Sequence, residues 1–335
     1  MDGIITDGLD EIMPIAMKRV LVTGGAGFIG SHICDALIGK GVEVVCLDNL
    51  MTGSVDNISH LFGNELFQFI EGDIRFLETC LDAIEGCDSV CHQAALGSVP
   101  RSVEDPITTN SHNVSGSLNV FHAAQVSSIK RVVYASSSST YGDDASLPKI
   151  EDSIGDALSP YAVSKRVSEL YSKVFVALHG MEMVGLRYFN IFGPRQDPNG
   201  MYAAVIPKFV NQLLLGKSPT IFGDGEQTRD FTYVDNAVNA NLSALSIDNP
   251  QISGKVFNIA CGGEISVIDL FRQIRDVLST HRPEISSAEP NYSEVRAGDV
   301  PHSMADISLA RDLLGYEPNI SFEEGLSKTI HSFLN

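Results

Sequence analysis

The stretch TGGAGFIGS, residues 23–31, directly follows the apolar run RVLVT at residues 19–23. Gly24, Gly27 and Gly30 stand three residues apart, at the point where the pattern changes from strand to helix. A loop without Cβ atoms lets the backbone approach a pyrophosphate closely, and the free N–H groups at a helix N-terminus attract that anion. The spacing therefore predicts a dinucleotide-binding turn, with a tight structural turn as the alternative.

Short β-branched runs alternate with helical patterns along the first half of the chain. This alternation is typical of an α/β fold with a Rossmann-type, doubly wound parallel sheet. Strands are predicted at 19–23, 42–48, 66–72, 89–94, 131–137 and 183–189, and helices at 28–39, 77–86, 112–127 and 161–179.

After about residue 185 the alternation gives way to loops rich in Gly and Pro. We expect a cofactor-binding domain at 18–185 and a smaller C-terminal substrate-binding lobe at 186–335, with some segments crossing back to the first domain. Residues 1–17 are expected to form a flexible tail, and the sequence leaves open whether translation begins at Met1 or Met17. Further helices are predicted at 205–216, 266–278, 306–314 and 322–333.

Asp48 ends the second predicted strand, eighteen residues after Gly30. A carboxylate at this place can accept hydrogen bonds from both hydroxyl groups of an adenosine ribose and would repel a 2′-phosphate. No Arg follows in LDNLMTG to neutralise such a phosphate. The sequence therefore predicts NAD rather than NADP, with a strand-end turn former as the alternative role of Asp48. The other residues assigned to the cofactor site are Phe28 and Ile29 in the glycine turn, Asp73 and Ile74 after the third strand, and Ala94 and Ala95 after the fourth.

The overall composition excludes several classes of partner. The formal net charge of −19, from 23 basic and 42 acidic side chains among 335 residues, argues against nucleic acid and anionic membranes. The six cysteines lack paired metal-type spacing and the nine histidines form no ligand motif, so no metal is predicted and a reduced, cytoplasmic protein is expected. No apolar run approaches the length of a membrane span.

The segment SPYAVSK, residues 159–165, places Tyr161 four residues before Lys165. On a helix these two side chains share one face, so the ammonium can approach the phenol. A close ammonium favours the phenolate and would lower the Tyr161 pKa toward working pH, as a general base requires. The alternative for an isolated pair is a surface tyrosine and a solvated lysine.

Taken in order, TGGAGFIG, QAA, SSSSTYG and Tyr161-x-x-x-Lys165 resemble the extended short-chain dehydrogenase/reductase family, over essentially all of residues 18–335. Within that family the chain is similar to the UDP-hexose 4-epimerases. The segments HQAALGSVPRS, GLRYFNIFGPRQDPNGMYAAVIPK and GDVPHSMAD look most like the bacterial polysaccharide branch. That branch acts on UDP-N-acetylglucosamine, UDP-N-acetylgalactosamine and their uronic acids.

The resemblance implies the catalytic roles. Tyr161 would remove the proton from the sugar 4-hydroxyl while NAD accepts the hydride from carbon 4, and Lys165 would hold the nicotinamide ribose and stabilise the phenolate. Ser137 would hydrogen-bond the reacting oxygen, with Ser138 beside it on the substrate; the run of four serines leaves this register open by one position. Epimerisation follows when the transient 4-keto sugar turns over and receives the hydride on its other face.

The resemblance also implies a substrate site for a UDP-sugar. Ser303 would occupy the position that gates the space beside carbon 2 of the sugar, where a small residue tolerates an N-acetyl group; its alternative role is the N-cap of a helix beginning near Ala305. The predicted substrate-binding residues are Gly97, Ser98, Ser137, Ser138, Asn190, Ala204, Val205, Arg229, Arg296, Asp299 and Ser303.

Other activities stay open at this point. Related 4,6-dehydratases carry an Asp-Glu pair where this chain has Ser138 and Ser139. Decarboxylation of a uronic acid is the nearest enzymatic alternative, and a catalytically silent NAD-binding regulator is the alternative from another class. The preferred UDP-sugar and the pathway are not decided by the sequence.

The resemblance further implies assembly. The predicted helices at 112–127 and 161–179 carry apolar residues that leave a second face to cover. In the family these helices pair across a two-fold axis as a four-helix bundle, so a homodimer is expected.

Overall fold

The computed structural model describes residues 17–198, 203–295 and 301–334. Its main element is a seven-stranded parallel sheet in the order β11-β6-β5-β4-β1-β2-β3. The strands are β1 Arg19–Thr23, β2 Glu43–Asp48, β3 Phe67–Glu71, β4 Ser89–His92, β5 Arg131–Ser137, β6 Glu182–Tyr188, β7 Ile191–Phe192, β8 Thr220–Phe222, β9 Thr228–Arg229, β10 Thr232–Tyr233, β11 Val256–Ile259, β12 Ile265–Ser266, β13 Asn291–Ser293 and β14 His302–Ser303.

Helices cover both faces of the sheet, which confirms the predicted Rossmann-type fold. Successive β5 residues show the two faces: Val133 belongs to the core shared with α1 and α8, and Val132 to the core shared with α2, α5 and α6. The helices are α1 Phe28–Gly39, α2 Leu77–Ile84, α3 Val99–Glu104, α4 Pro106–Asn110, α5 Ser117–Val126, α6 Pro160–His179, α7 Val205–Leu214, α8 Val234–Ser246, α9 Val267–Ser279, α10 Ser308–Leu314 and α11 Phe322–Leu334.

The sheet order reverses beside β1, because the chain proceeds outward to β3 and then returns to place β4 on the other side of β1. At such a switch point the loops that leave the carboxyl ends of neighbouring strands diverge and leave a crevice. Thr23 and His92, which end β1 and β4, are register partners at this point. The fold therefore places any ligand site beyond these two residues.

The helix predicted at 112–127 begins earlier than expected. Pro106 occupies the first turn of α4, and the Asp105 side chain caps it by accepting a 3.0 Å hydrogen bond from the Thr108 N–H. A π-helical segment, Ser111–Gly116, then joins α4 to α5. The apolar periodicity fails across this wider turn, which is why the sequence pattern indicated only the second half.

A strand and a helix from the second half of the chain complete the layers of the central sheet, and neither was predicted. Strand β11 pairs with β6, and α8 packs on the face that α1 covers. The second half also forms three small sheets: β7 with β10, β8 with β13, and β9 with β12 and β14. Ser303 lies in β14, and Ile307 precedes α10, so the alternative of Ser303 as a helix N-cap is wrong.

Candidate functional site

A cavity of about 740 Å³ opens at the switch point of the sheet. It brings together most of the residues that the sequence assigned to the cofactor and to the chemistry. The predicted residues that line it are Gly24, Gly27, Phe28, Ile29, Gly30, Asp48, Ile74, Ala94, Ala95, Gly97, Ser98, Ser137, Tyr161, Lys165, Asn190 and Ala204.

The glycine turn forms one wall of this cavity. Gly24 has φ +70°, and a Cβ atom there would lie 2.6 Å from the backbone nitrogen of Ala94, so a side chain at this position is excluded. Gly27 is the N-cap of α1, whose first turn begins at Phe28 beside the cavity. The turn therefore exposes backbone rather than side chains, as close approach of a pyrophosphate requires.

Asp48 stands at the end of β2 against the same turn. Its carboxylate accepts hydrogen bonds of 3.0 Å from the Ala26 N–H and 2.8 Å from the Leu50 N–H. Burial raises the Asp48 pKa, and these backbone hydrogen bonds oppose the rise. Asp73 differs, because Arg75 at 2.7 Å and Asn49 at 2.9 Å engage its carboxylate, which does not line the cavity.

Tyr161 and Ser137 meet on the opposite side of the cavity, where α6 crosses the end of β5. Burial raises the Tyr161 pKa, and a hydrogen bond with Ser137 opposes this rise. Lys165 lies with its Nζ 5.9 Å from the centre of the Tyr161 ring and donates a 2.9 Å hydrogen bond to the carbonyl of Ala135. The expected lowering of the Tyr161 pKa is therefore not found, because burial raises this pKa and the opposing contribution comes from Ser137 rather than from Lys165.

The lysine is itself strongly affected by its surroundings. Burial lowers the Lys165 pKa to about 8, and the nearby Glu169 carboxylate opposes this shift. Glu169 is fully buried and binds Arg187 through two hydrogen bonds, of 2.8 and 3.0 Å.

Because the Ser136 hydroxyl donates a 2.7 Å hydrogen bond to Glu169, Ser136 has a structural partner, whereas Ser137 faces Tyr161. Ser138 does not line the cavity.

His112 is a cavity residue that sequence reasoning missed. Its Nδ1 lies 3.0 Å from the Thr108 carbonyl, which can only accept, so Nδ1 carries the proton and Nε2 is an acceptor. Within the described part of the chain the buried Nε2 has no hydrogen-bond partner. Gly116, one turn further along, packs on Ile74, where a Cβ would lie 2.7 Å from the Ile74 side chain. The only sequence signal was the position of His112 in a polar stretch before a helix.

These features test whether a dinucleotide suits the cavity. The turn offers backbone N–H groups for a pyrophosphate, Asp48 offers acceptor oxygens for a ribose, and His112 presents a buried acceptor that lacks a protein donor. The residues present therefore fit NAD.

A second cavity of about 190 Å³ adjoins the first, since Asn190 and Ala203 line both. Val205 and Arg229 line it together with Lys208, which gives this cavity two cationic side chains. Ser303 lines neither cavity but pairs in register with Arg229 on the neighbouring strand. Arg296 and Asp299 lie outside the described residues.

The following two statements apply to residues 17–198, 203–295 and 301–334. These residues contain no cluster of three or more His, Cys, Asp and Glu side chains suited to a metal ion. Over residues 17–198, 203–295 and 301–334, no helix has the length and apolar character needed to cross a bilayer.

Comparison with known proteins identifies relatives along nearly the whole chain. The pattern of the NAD-dependent epimerase/dehydratase family matches residues 20–260. A putative UDP-glucose 4-epimerase from Methanocaldococcus jannaschii is 40% identical over 320 residues, which cover 94% of this chain and 98% of that protein.

Solved structures agree with the fold. The structure of UDP-N-acetylglucosamine 4-epimerase from Methanobrevibacter ruminantium, in complex with UDP-N-acetylmuramic acid, matches with a TM-score of 0.88 and 41% identity over 96% of this chain and 99% of that one. The UDP-glucuronic acid 4-epimerase from Bacillus cereus, in complex with UDP-glucuronic acid and NAD, matches with a TM-score of 0.86 and 33% identity over 94% of this chain and 99% of that one.

Proposed function

The chain belongs to the NAD-dependent epimerase/dehydratase family, and on this premise we propose that it is a UDP-sugar 4-epimerase whose preferred substrates are UDP-N-acetylhexosamines. One observation carries the proposal. Tyr161, Ser137 and Lys165 line the same cavity as the glycine turn, so a proton-transfer group lies beside a dinucleotide site. The relatives that match along almost the full length include UDP-sugar 4-epimerases.

In the proposed mechanism Tyr161 takes the proton of the sugar 4-hydroxyl and later returns it. Ser137 hydrogen-bonds the Tyr161 hydroxyl and directs it into the cavity. When bound, NAD supplies the hydride acceptor and a positive charge that opposes the effect of burial on the Tyr161 pKa. Lys165, anchored on the Ala135 carbonyl, holds a donor group at the wall of the cavity.

The second cavity is the proposed site of the nucleotide half of the substrate. Arg229 and Lys208 supply positive charge for a diphosphate in a protein whose net charge is otherwise strongly negative. Asn190, which lines both cavities, would contact the diphosphate between them. Arg296 and Asp299 keep their proposed roles of diphosphate and ribose binding by resemblance alone.

The proposed preference for N-acetylated sugars rests on Ser303 and on the relatives. Serine has little volume and offers a hydroxyl to an amide. Ser303 lines neither cavity, so its place beside the sugar is inferred from the resemblance, and its register partner Arg229 is its link to the second cavity. The uronic acid forms of these sugars are the alternative substrates, since the UDP-glucuronic acid 4-epimerase from Bacillus cereus matches over 94% of this chain. Plain UDP-glucose and UDP-galactose stay within the proposed range.

We also propose that the enzyme is a cytoplasmic homodimer. Apolar side chains on one face of α6 are exposed, with Leu178 72% and Leu170 49% accessible, and Ile107 at α4 is 81% accessible. Exposed apolar patches of this kind mark interfaces. A second copy of the chain, paired through α6 and the segment from α4 to α5, would cover them.

The test is incubation of the purified protein with single UDP-sugars followed by separation of the products. The panel contains UDP-N-acetylglucosamine, UDP-N-acetylgalactosamine, UDP-glucose, UDP-galactose and UDP-glucuronic acid. The proposal expects 4-epimers, fastest for the N-acetylated pair. Formation of a UDP-pentose and carbon dioxide from UDP-glucuronic acid would instead establish the decarboxylase, and a protein that holds NAD but converts no sugar would be the regulator.

A further inference from the structure

Three side chains form a closed ring of hydrogen bonds beneath the main cavity. The Gln93 amide donates a hydrogen bond of 3.0 Å to Asn241 Oδ1, and the Asn241 amide donates one of 2.7 Å to the Tyr188 hydroxyl. The Tyr188 hydroxyl in turn donates a hydrogen bond of 3.0 Å to Gln93 Oε1. Each member is therefore both donor and acceptor within the ring. This arrangement fixes the orientation of both amides and the direction of the phenolic proton.

The ring is made of two cavity residues and one remote residue. Gln93 and Tyr188 line the cavity, whereas Asn241 lies on α8 beneath it and is fully buried. Tyr188 ends β6 as the register partner of Ser137, and Gln93 directly follows β4. Gln93 and Tyr188 thus flank the end of β5, beside the residue that contacts Tyr161.

Asn241 is held firmly in this position. Its side-chain amide also donates 2.7 Å to the Ala237 carbonyl one turn earlier on α8, and its Oδ1 accepts from the Cys91 thiol at 3.5 Å. The Tyr188 hydroxyl stays protonated across the working pH range, because burial raises its pKa far above the ordinary value. The ring therefore keeps one fixed polarity.

We propose that Asn241 is a positioning residue for the cofactor. Through the ring it holds Gln93 and Tyr188 as a rigid wall at the end of the NAD site next to Ser137, and so determines how tightly NAD is held without touching it. Preorganised walls bind more tightly because no side-chain freedom is lost on binding. This inference rests on the proposed function only for the statement that the reactive end of the site lies beside Ser137.

The test compares Asn241→Ala with a matched variant on the same helix. Asn236 is also on α8 and fully buried. Its side-chain amide donates a hydrogen bond of 2.8 Å to the Ile320 carbonyl, and its Oδ1 accepts one of 3.1 Å from the Ile320 N–H. Asn236→Ala therefore removes a comparable pair of hydrogen bonds that do not lead to the cavity. The readouts are the Kd for NAD by titration calorimetry, the Kd for UDP, and Tm, all without any sugar substrate.

We expect Asn241→Ala to bind NAD about tenfold more weakly while UDP binding changes by less than about twofold. Asn236→Ala should lose thermal stability and keep the NAD affinity of the parent. If Asn241→Ala does not fold, Tyr188→Phe serves instead, because it breaks two bonds of the ring and keeps the aromatic volume.

Unchanged NAD affinity in folded Asn241→Ala, or in its substitute Tyr188→Phe, would overturn the proposal, as would an equal loss of affinity in Asn236→Ala. Because these titrations contain no UDP-sugar, their outcome is independent of the epimerase assay. If Asn241→Ala weakens NAD binding as expected but the parent converts no UDP-sugar, only the proposed function is contradicted.

Discussion

The carboxylate of Asp48 accepts a 3.0 Å hydrogen bond from the backbone N–H of Ala26, inside the glycine turn. Asp48, the last residue of the second strand, thus also holds the turn that follows the first strand. Its other oxygen accepts the Leu50 N–H at 2.8 Å. A single side chain therefore couples the predicted ribose contact to the shape of the predicted pyrophosphate contact.

Asp48→Asn should weaken NAD binding and bring the affinities for NADP and NAD closer together. The substitution removes the negative charge that repels a 2′-phosphate, and a neutral amide accepts hydrogen bonds less strongly than a carboxylate. We expect the Kd for NADP divided by the Kd for NAD to fall about tenfold. Asp73→Asn should have a smaller effect, since Arg75 and Asn49 already occupy that carboxylate. An unchanged ratio in Asp48→Asn would remove Asp48 from the ribose site.

His92 should make the protein less stable in acid. The ring is buried between the Thr23 hydroxyl at 2.6 Å and the Ser117 hydroxyl at 2.8 Å. Burial, helped by the positive charge of Lys165, lowers the His92 pKa from 6.5 to about 3. Between these values the unfolded chain binds a proton that the folded protein does not, so the free energy of unfolding falls as pH drops through this window.

The slope of that fall is at most about 1.4 kcal/mol per pH unit for one proton. His92→Asn, which cannot titrate, should show a smaller dependence across the same window when unfolding by urea is measured at several pH values. Parallel curves for the parent and the variant would show that His92 is not the titrating group.

Ser303→Tyr tests the proposed preference for N-acetylated substrates. A bulky ring reaching the sugar should clash with an acetamido group but spare a hydroxyl at carbon 2. We expect kcat/KM for UDP-N-acetylglucosamine to fall sharply relative to kcat/KM for UDP-glucose. A ratio that stays at the parental value would place Ser303 outside the substrate site.

The exposed face of α6 should hold the homodimer together. Leu170→Asp combined with Leu178→Asp places two charges in the proposed interface, where their burial would be costly. Light scattering at micromolar concentration should give the mass of a dimer for the parent and of a monomer for the double variant. Leu215→Asp, at a leucine 61% exposed in the second half of the chain, is the control and should remain dimeric. A parent that is already monomeric would contradict the assembly.

The order of strands and helices in the first half could be predicted because periodicity reports local burial. The glycine turn, β2 and α6 lie where the sequence pattern indicated them. Strand β11 and helix α8 were missed because no local sequence feature shows that a segment from the second half of the chain returns to the central sheet. The π-helical segment was missed because it breaks the regular helical spacing.

Site residues next to a motif were predictable, and those that depend on tertiary contacts were not. Gln93 stands directly before Ala94, and Tyr188 stands two positions before Asn190. Their hydrogen-bonded ring with Asn241 could not be predicted, because Gln93 and Asn241 are about 150 positions apart in the chain. The direction of the Tyr161 pKa shift also escaped prediction. Helix spacing predicts that Lys165 approaches Tyr161, but it does not show the burial that raises the Tyr161 pKa.

Replacement of Tyr161 by phenylalanine shows whether this residue transfers the proton of the sugar 4-hydroxyl. Tyr161→Phe removes one oxygen from the cavity wall and leaves the glycine turn, Asp48 and the second cavity unchanged, so binding of NAD and UDP should remain at parental strength. We expect the rate of UDP-N-acetylglucosamine epimerisation to fall by about 10²–10⁴-fold, the usual effect of losing a positioned proton-transfer group. A rate within a few fold of the parent would rule out Tyr161 as the proton-transfer group, because the proton would then have to pass through another residue.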